Sequence, residues 1–428
     1  MQKKWITAWV WFIWLSVGIS QSGENNWLKT LEKIEFKPSL TLQTWASYSF
    51  GQHLWSEKDN EYLPVSNRIE TQIRRTRFGF SVRPYSRLSI KFVSSVDFIG
   101  RDVLSATVGG SNNGANPAFR LWVLTGQWKM TKENEGVYIT FGYMAPQIGR
   151  ESITGLLGST GMEKVWTQNY LRRHITGTGP GRATGINLGG LAQVSDQKLR
   201  FSYNIGVFNP VFQAFSGNST GIEYAPMLAG KLSLHLGDPE NDKYSLGHKA
   251  NYFSQRKGLT VGIQTTYQGR TDLFAQNSMI GLDLLFNWKH LNIDGEWLWL
   301  RRDGFTPNQE AEARAQVRYI KMSYNIFLPG KYMIEPVIML STYSGEKDLD
   351  KQMLATQVQM PSGMDHVLDA GFNFYLNPKL KLSLHYTKNN GEIGQMPLGS
   401  PVNNYFQQNG AGAIQRGNWI GFGIVIGV

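Results

Sequence analysis

The densest group of side chains able to do chemistry lies in one Gly-rich stretch, residues 145–182. It holds Arg150, Lys164, Arg172, Arg173 and Arg182 against only Glu151 and Glu163. A guanidinium is a rigid, always-charged fork that matches phosphate or carboxylate. The stretch therefore reads either as an anion site or as an exposed loop touching an anionic surface or a neighbouring subunit. A second group, Ser383, His385 and Asp369, has the residue types of a nucleophile, base and orienting carboxylate. No oxyanion donors accompany it, and such residues are common on polar strand faces, so no catalytic role is assigned. Gly177-Thr-Gly-Pro-Gly181 resembles a phosphate loop but opens no helix and lacks the lysine. The seven histidines show no ligand spacing, and with no cysteine neither a thiolate metal site nor a disulfide can form. No metal or cofactor is implied. The net charge of +11 suggests nucleic acid, but no helical or aromatic-platform module supports it.

The elements that must position these residues are strands. From Leu368 to Tyr386 apolar and polar residues alternate: Leu368, Ala370, Phe372, Phe374 and Leu376, then Leu380, Leu382, Leu384 and Tyr386. Period 2 places them on one face of a β-hairpin. Keeping that face continuous requires a turn of odd length, Asn377-Pro378-Lys379, which sets Phe374 opposite Leu382 and Asn373 opposite Ser383. The same alternation recurs in about sixteen segments of roughly ten residues, the last being Asn418–Val428 with Ile420, Phe422, Ile424 and Ile426 on one face. Short and long connections alternate, with one exception, 237–258, which is too long for its place. Trp122, Trp128, Tyr143, Trp288, Trp297 and Trp299 fall on the apolar parity or near strand ends, as interfacial girdles require.

The fold expected is all-β: a transmembrane antiparallel barrel over 34–428. Its short turns face the periplasm and its long loops the outside. Closure removes edges that lipid would not tolerate. Mean hydropathy of −0.30 fits a polar lumen and argues against a helical membrane protein. Residues 1–20 read as a signal peptide, with Lys3 and Lys4 before an apolar run and small residues at Gly18-Ile19-Ser20. Residues 21–33 read as a polar leader.

By parity the lumen wall carries the bases Lys37, Arg75, Arg77, Lys91, Lys129, Arg200, Lys231 and Lys381. It also carries the acids Asp97, Asp283, Asp294, Glu296, Glu335 and Asp369. The excess of base is small, so the wall by itself does not dictate anion selectivity.

The run Gln72-Ile-Arg-Arg-Thr-Arg-Phe-Gly-Phe80 resembles an early strand of the phosphate-selective porin O and P family. So do Phe141-Gly-Tyr143, Pro146, Gly149-Arg-Glu-Ser152 and Asn204-Ile-Gly-Val-Phe-Asn209, while Asp369–Pro378 is similar to a penultimate hairpin of that family. The resemblance implies a sixteen-stranded outer-membrane porin, usually a homotrimer, whose third extracellular loop folds into the lumen. Residues 145–182 would then set Arg150, Lys164, Arg172, Arg173 and Arg182 at the constriction, where a low-dielectric wall focuses the field on anions. The expected function is passive diffusion of small hydrophilic solutes, anionic or neutral, with mild anion and possible phosphate preference, in contact with lipid bilayer and lipopolysaccharide. The alternative is a non-conducting barrel acting as a docking or assembly partner, its lumen blocked by Leu156, Leu157, Trp166 and Tyr170.

Overall fold

The computed structural model describes residues 34–428 apart from 57, 101–118, 194–198, 213–221, 306–311, 395–406, 409–411 and 416. The expected signal peptide and leader, 1–33, lie outside the described residues. Sixteen antiparallel strands close into one barrel. They are β1 (Glu35–Phe50), β2 (Arg68–Tyr85), β3 (Leu88–Gly100), β4 (Phe119–Lys129), β5 (Tyr138–Met144), β6 (Ala183–Gln193), β7 (Leu199–Asn209) and β8 (Met227–Gly237). Then follow β9 (Gly258–Gln268), β10 (Gln276–Trp288), β11 (Leu291–Asp303), β12 (Glu312–Tyr324), β13 (Met333–Ser344), β14 (Gly363–Asn377), β15 (Leu380–Ile393) and β16 (Asn418–Gly427). Each pairs with its sequence neighbours, and β1 pairs with β16 to seal the ring, with Leu42 opposite Ile426 and Tyr48 opposite Ile420. No described helix is long and apolar enough to cross a membrane; the strands do so.

The alternation has its structural counterpart along most strands. Phe141, Ile186, Leu228, Trp288, Trp297, Phe372 and Phe422 point outward and are exposed, while Thr140, Asn187, Asp283, Asn373 and Trp419 point inward and are buried. The β14–β15 hairpin has Phe374 opposite Leu382 and Asn373 opposite Ser383, as the alternation requires. Its turn differs from the three-residue expectation. The ladder slips at Leu376, and Asn377 then pairs with Leu380, leaving Pro378-Lys379 as the turn. The Asn377 side chain accepts the Lys379 amide at 2.8 Å. A bulge absorbs the odd residue that a longer turn would have taken.

Two further bulges redirect side chains. Gln43 pairs with Arg75 and Thr44 with Ile73, so Arg74 is the extra residue and both Arg74 and Arg75 turn inward. Val93 pairs with Val123 and Ser94 with Leu121, so Trp122 is extra. Trp122 was expected on the outer face; its ring instead lies between two lumen guanidiniums, Arg77 at 3.7 Å and Arg182 at 3.8 Å. One inserted residue inverts the parity on which the expectation rested.

The connection 145–182 folds into the lumen. It carries a short helix α1 (Arg150–Ile153) and the longer α2 (Gln168–Thr176). Gly149 turns into α1 at φ 74°, where a Cβ would meet Leu171 at 2.4 Å. Gly177 ends α2 in the left-handed conformation, its amide bonded to the Arg173 carbonyl. Trp166, Tyr170, Leu171 and Ile175 bury themselves against Trp45, Tyr343 and Trp419 of the wall and against Val358 and Met360 beyond helix α3 (Leu349–Gln357). The apolar core of this protein thus lies inside its barrel.

Candidate functional site

The inward loop is seated by charge on one side of the lumen. Arg150 donates to Asp283 at 2.8 Å and to both oxygens of Glu240 at 2.8 and 3.1 Å, and its amide bonds Glu296. Lys321 reaches Glu151 at 2.8 Å and Asp294 at 3.4 Å. Lys231 pairs with Asp283 at 2.8 Å. Lys381 donates to the carbonyls of Ser159 and Gly161, and Asn373 to that of Thr160. Farther round the ring Gln43 holds the Met162 carbonyl, and Arg74 and Arg75 both bind Glu163, at 2.8 and 2.5 Å. All these wall residues except Arg75 are nine-tenths or more buried. Removing one partner of such a pair strands a charge away from water and costs about 3–5 kcal/mol. The loop is therefore a fixed filling of the lumen along β8–β16, latched also to β1 and β2.

The opposite wall is different. Along β2–β4 the inward residues Arg75, Arg77, Asp97, Trp122 and Gln127 stay partly accessible, and Lys91 and Arg120 are exposed. Arg77 binds Asp97 at 2.9 Å. Close to this wall lie Lys164, Arg172 and Arg182 of the inward loop. Burial drives the Lys164 ammonium well below the usual lysine range, and the charges of Arg172, Arg75 and Arg182 push in the same direction. Burial likewise brings Arg172 down to about 10, helped by Arg75. Both cations lean on backbone oxygens: Lys164 donates to the Glu151 carbonyl at 2.9 Å and Arg172 to the Ser152 carbonyl at 2.7 Å. Among the described residues Lys91 and Arg182 have no carboxylate partner. The wall along β2–β4 is thus the more accessible and more basic one, and Arg182 of the loop meets it over the Trp122 ring at 3.8 Å.

The Phosphate-selective porin O and P family matches residues 55–401. The chain belongs to that family. The porin's fold is also that of solved outer-membrane channels at low identity. An anion-selective porin from Comamonas acidovorans is 12% identical with a TM-score of 0.52, covering 92% of this chain and 100% of its own. OprB of Pseudomonas putida is 8% identical with a TM-score of 0.57, covering 94% and 96%. The channel DcaP of Acinetobacter baumannii is 11% identical at 0.50, covering 92% and 97%. No curated protein matches the chain. This porin is an outer-membrane channel and not an enzyme.

Within the porin, the Ser383, His385 and Asp369 group is a wall network. Ser383 donates to Asn373 at 2.6 Å rather than to His385, while Asp369 is shared by His385 and Thr387. Of the residues expected at a constriction, Lys164 and Arg172 are buried within the loop, and Arg182 is half-buried over Trp122. Arg173 lies one residue on in α2 and is partly accessible. Arg150 is buried and engaged by Glu240 and Asp283 on the filled side. Of the wall bases, Arg75 and Arg77 stay partly accessible and Lys91 is exposed, whereas Lys231 and Lys381 are buried beneath the loop. Arg200 sits near the periplasmic rim, 3.7 Å from Asp242, and Lys37 is exposed at that rim beside Glu35. Of the suspected blocking residues, Trp166 and Tyr170 belong to the buried cluster, and Leu157 reaches Gly427 of β16. They fill the closed half.

Three residues escaped sequence reasoning. Lys321 lies between the outward Ile320 and Met322, so strict alternation would have found it. Arg74 and Glu240 carry no local signal, the first because of a bulge and the second because it lies in a connection.

Proposed function

We propose that this porin is a passive diffusion channel with anion preference, and that the preference comes from where its acids are buried rather than from how many it has. One observation supports this. Asp283, Asp294, Glu296, Glu335 and Asp369 are all buried on the filled side, with Asp283 and Asp294 bound to cations there. The accessible wall, in contrast, offers Lys91, Arg120, Arg75 and Arg77 against Asp97. On this reading a slot between the inward loop and β2–β4 is the passage; a solute in it meets this net positive wall together with Arg182, with Lys164 and Arg172 buried behind, and in a narrow low-dielectric passage that field concentrates anions. The similarity to an anion-selective porin agrees with this reading. Arg172 and Arg182 supply forks for phosphate or carboxylate groups, and neutral hydrophilic solutes pass by size.

The chain on this reading reaches the periplasm through a signal peptide cut after Ser20 and assembles as a homotrimer, its long loops against lipopolysaccharide. Reversal potentials of the purified protein in a planar bilayer under a salt gradient test the proposal. A potential displaced toward that of the anion is expected. Absence of conductance, or cation preference, overturns it.

A further inference from the structure

The connection between β8 and β9 breaks the rule that periplasmic turns are short. Its ends are already a closed hairpin: Gly237 pairs with Gly258, the Asp238 amide bonds the Lys257 carbonyl at 3.0 Å, and the Lys257 amide bonds the Asp238 side chain at 2.8 Å. Residues 239–256 therefore hang from a finished neck. The barrel does not need them to connect its strands, yet they are laid across its mouth.

On one flank Tyr244 stacks on Tyr138 of β5 with centroids 4.9 Å apart. Its hydroxyl bonds Asn204 of β7 and accepts from Asn187 of β6, and its amide bonds Glu135 of the β4–β5 turn. On the other flank Phe253 packs edge-on against Tyr375 of β14 at 5.2 Å. Asn251 bonds Glu335 of β13 and Asn325, both at 2.7 Å, and Ser254 meets His290 in the β10–β11 turn. β5 and β14 stand on nearly opposite sides of a sixteen-strand ring. The segment thus spans the periplasmic opening on the β6–β13 side.

Its middle reaches up to the inward loop. His248 and Thr154 form a parallel bridge, the Ala250 amide bonds the Gly158 carbonyl at 2.8 Å, and the Gly247 amide bonds Gln147 at 3.1 Å. Glu240 grips Arg150 through both oxygens and also receives His248 at 2.7 Å, while Lys231 approaches His248 at 3.1 Å. On the wall itself the Arg150 side chain meets a single carboxylate oxygen, Oδ1 of Asp283.

We infer that residues 239–256 form a periplasmic strap that seats the inward loop, with Glu240 as its positioning residue, and that the strap's edge sets the channel's width on the periplasmic side. The inference rests on the slot along β2–β4 being the passage. Without the strap, Arg150 keeps only Asp283 of its two carboxylate partners, the loop loses three further anchors, and the β6–β13 side of the mouth opens. Lys164, Arg172 and Arg182 are then no longer held close to Lys91 and Arg77.

The test replaces residues 239–256 of the full chain with Asn-Gly, a two-residue turn suited to an antiparallel neck. It compares single-channel conductance and anion-to-cation permeability ratio with the unaltered protein in the same bilayer. A severalfold rise in conductance and a ratio falling toward unity are expected; unchanged values of both overturn the strap. A silent unaltered protein would instead sink the channel reading, so the two failures are distinguishable. A second variant, Glu240→Gln, covers failure of the shortened chain to fold. It is expected to turn a single conductance level into several fluctuating ones, with Glu240→Asp restoring the single level. A steady single level in Glu240→Gln overturns the positioning role.

Discussion

Lys91 offers the cleanest measure of how the slot selects. Its side chain projects from β3 toward the lumen between register partners Ser81 and Thr125, it is exposed, and it has no carboxylate partner among the described residues. Lys91→Gln should therefore leave the fold alone, since an exposed lysine contributes little to stability. An ion passing about 6 Å from the ammonium in a water-like dielectric feels about 0.7 kcal/mol. At about 0.1 M salt the Debye length of roughly 10 Å trims this to about 0.4 kcal/mol. That is about a twofold change in anion occupancy and an opposite twofold change for cations, so the permeability ratio should fall about fourfold. At about 1 M salt the Debye length shrinks to roughly 3 Å and the effect should nearly vanish. Reversal potentials at the two salt concentrations read both numbers. An unchanged ratio in dilute salt would place Lys91 off the ion path. An equal shift at both concentrations would show that the change is structural rather than electrostatic.

Four other outcomes follow from the same geometry. Glu163→Gln removes the carboxylate shared by Arg74 and Arg75, so anion preference should rise while thermal stability of the folded barrel falls, by about 3–5 kcal/mol of local anchoring; no change in either would refute the latch. Burial alone would raise the Glu163 carboxyl, but Arg75 and Arg74 outweigh it and hold it at about 2. A depressed carboxylate keeps its stabilising charge above its unfolded value and loses it only as pH falls through about 2, so conductance should stay level from neutral to mildly acidic solution, and a step there would count against the pairing. Lys164, lowered by burial and then by Arg172, should discharge at a pH well below the usual lysine range as alkalinity rises. Anion preference should decline accordingly, and Lys164→Met should flatten that decline; an identical profile in the variant refutes the assignment. Arg302, buried without a carboxylate partner among the described residues, donates to the carbonyls of His174, Val358 and Gln359. Arg302→Met should expose 168–176 and 349–357 to hydrogen exchange while the β14–β15 ladder stays protected; unaltered protection in both segments would remove its role as a staple.

What the sequence settled by itself is whatever a period of two can carry. Alternation within each strand specified the lipid face, the number of strands and the pairing of Phe374 with Leu382, because neighbouring side chains on a pleated strand must point to opposite sides. The composition of 145–182 marked it as the charged element. The tertiary structure decided everything that depends on an inserted residue or a distant partner. The bulges that turn Arg74 and Trp122 inward leave no trace in hydrophobicity. The partner of Arg150 on the wall lies 133 residues away, and its partner on the strap lies 90 away. The wall's acids and bases looked nearly balanced when counted along the chain. Their balance in space is unequal, because the inward loop and the strap pack over the half that holds most of the acids and leave the basic half in contact with water.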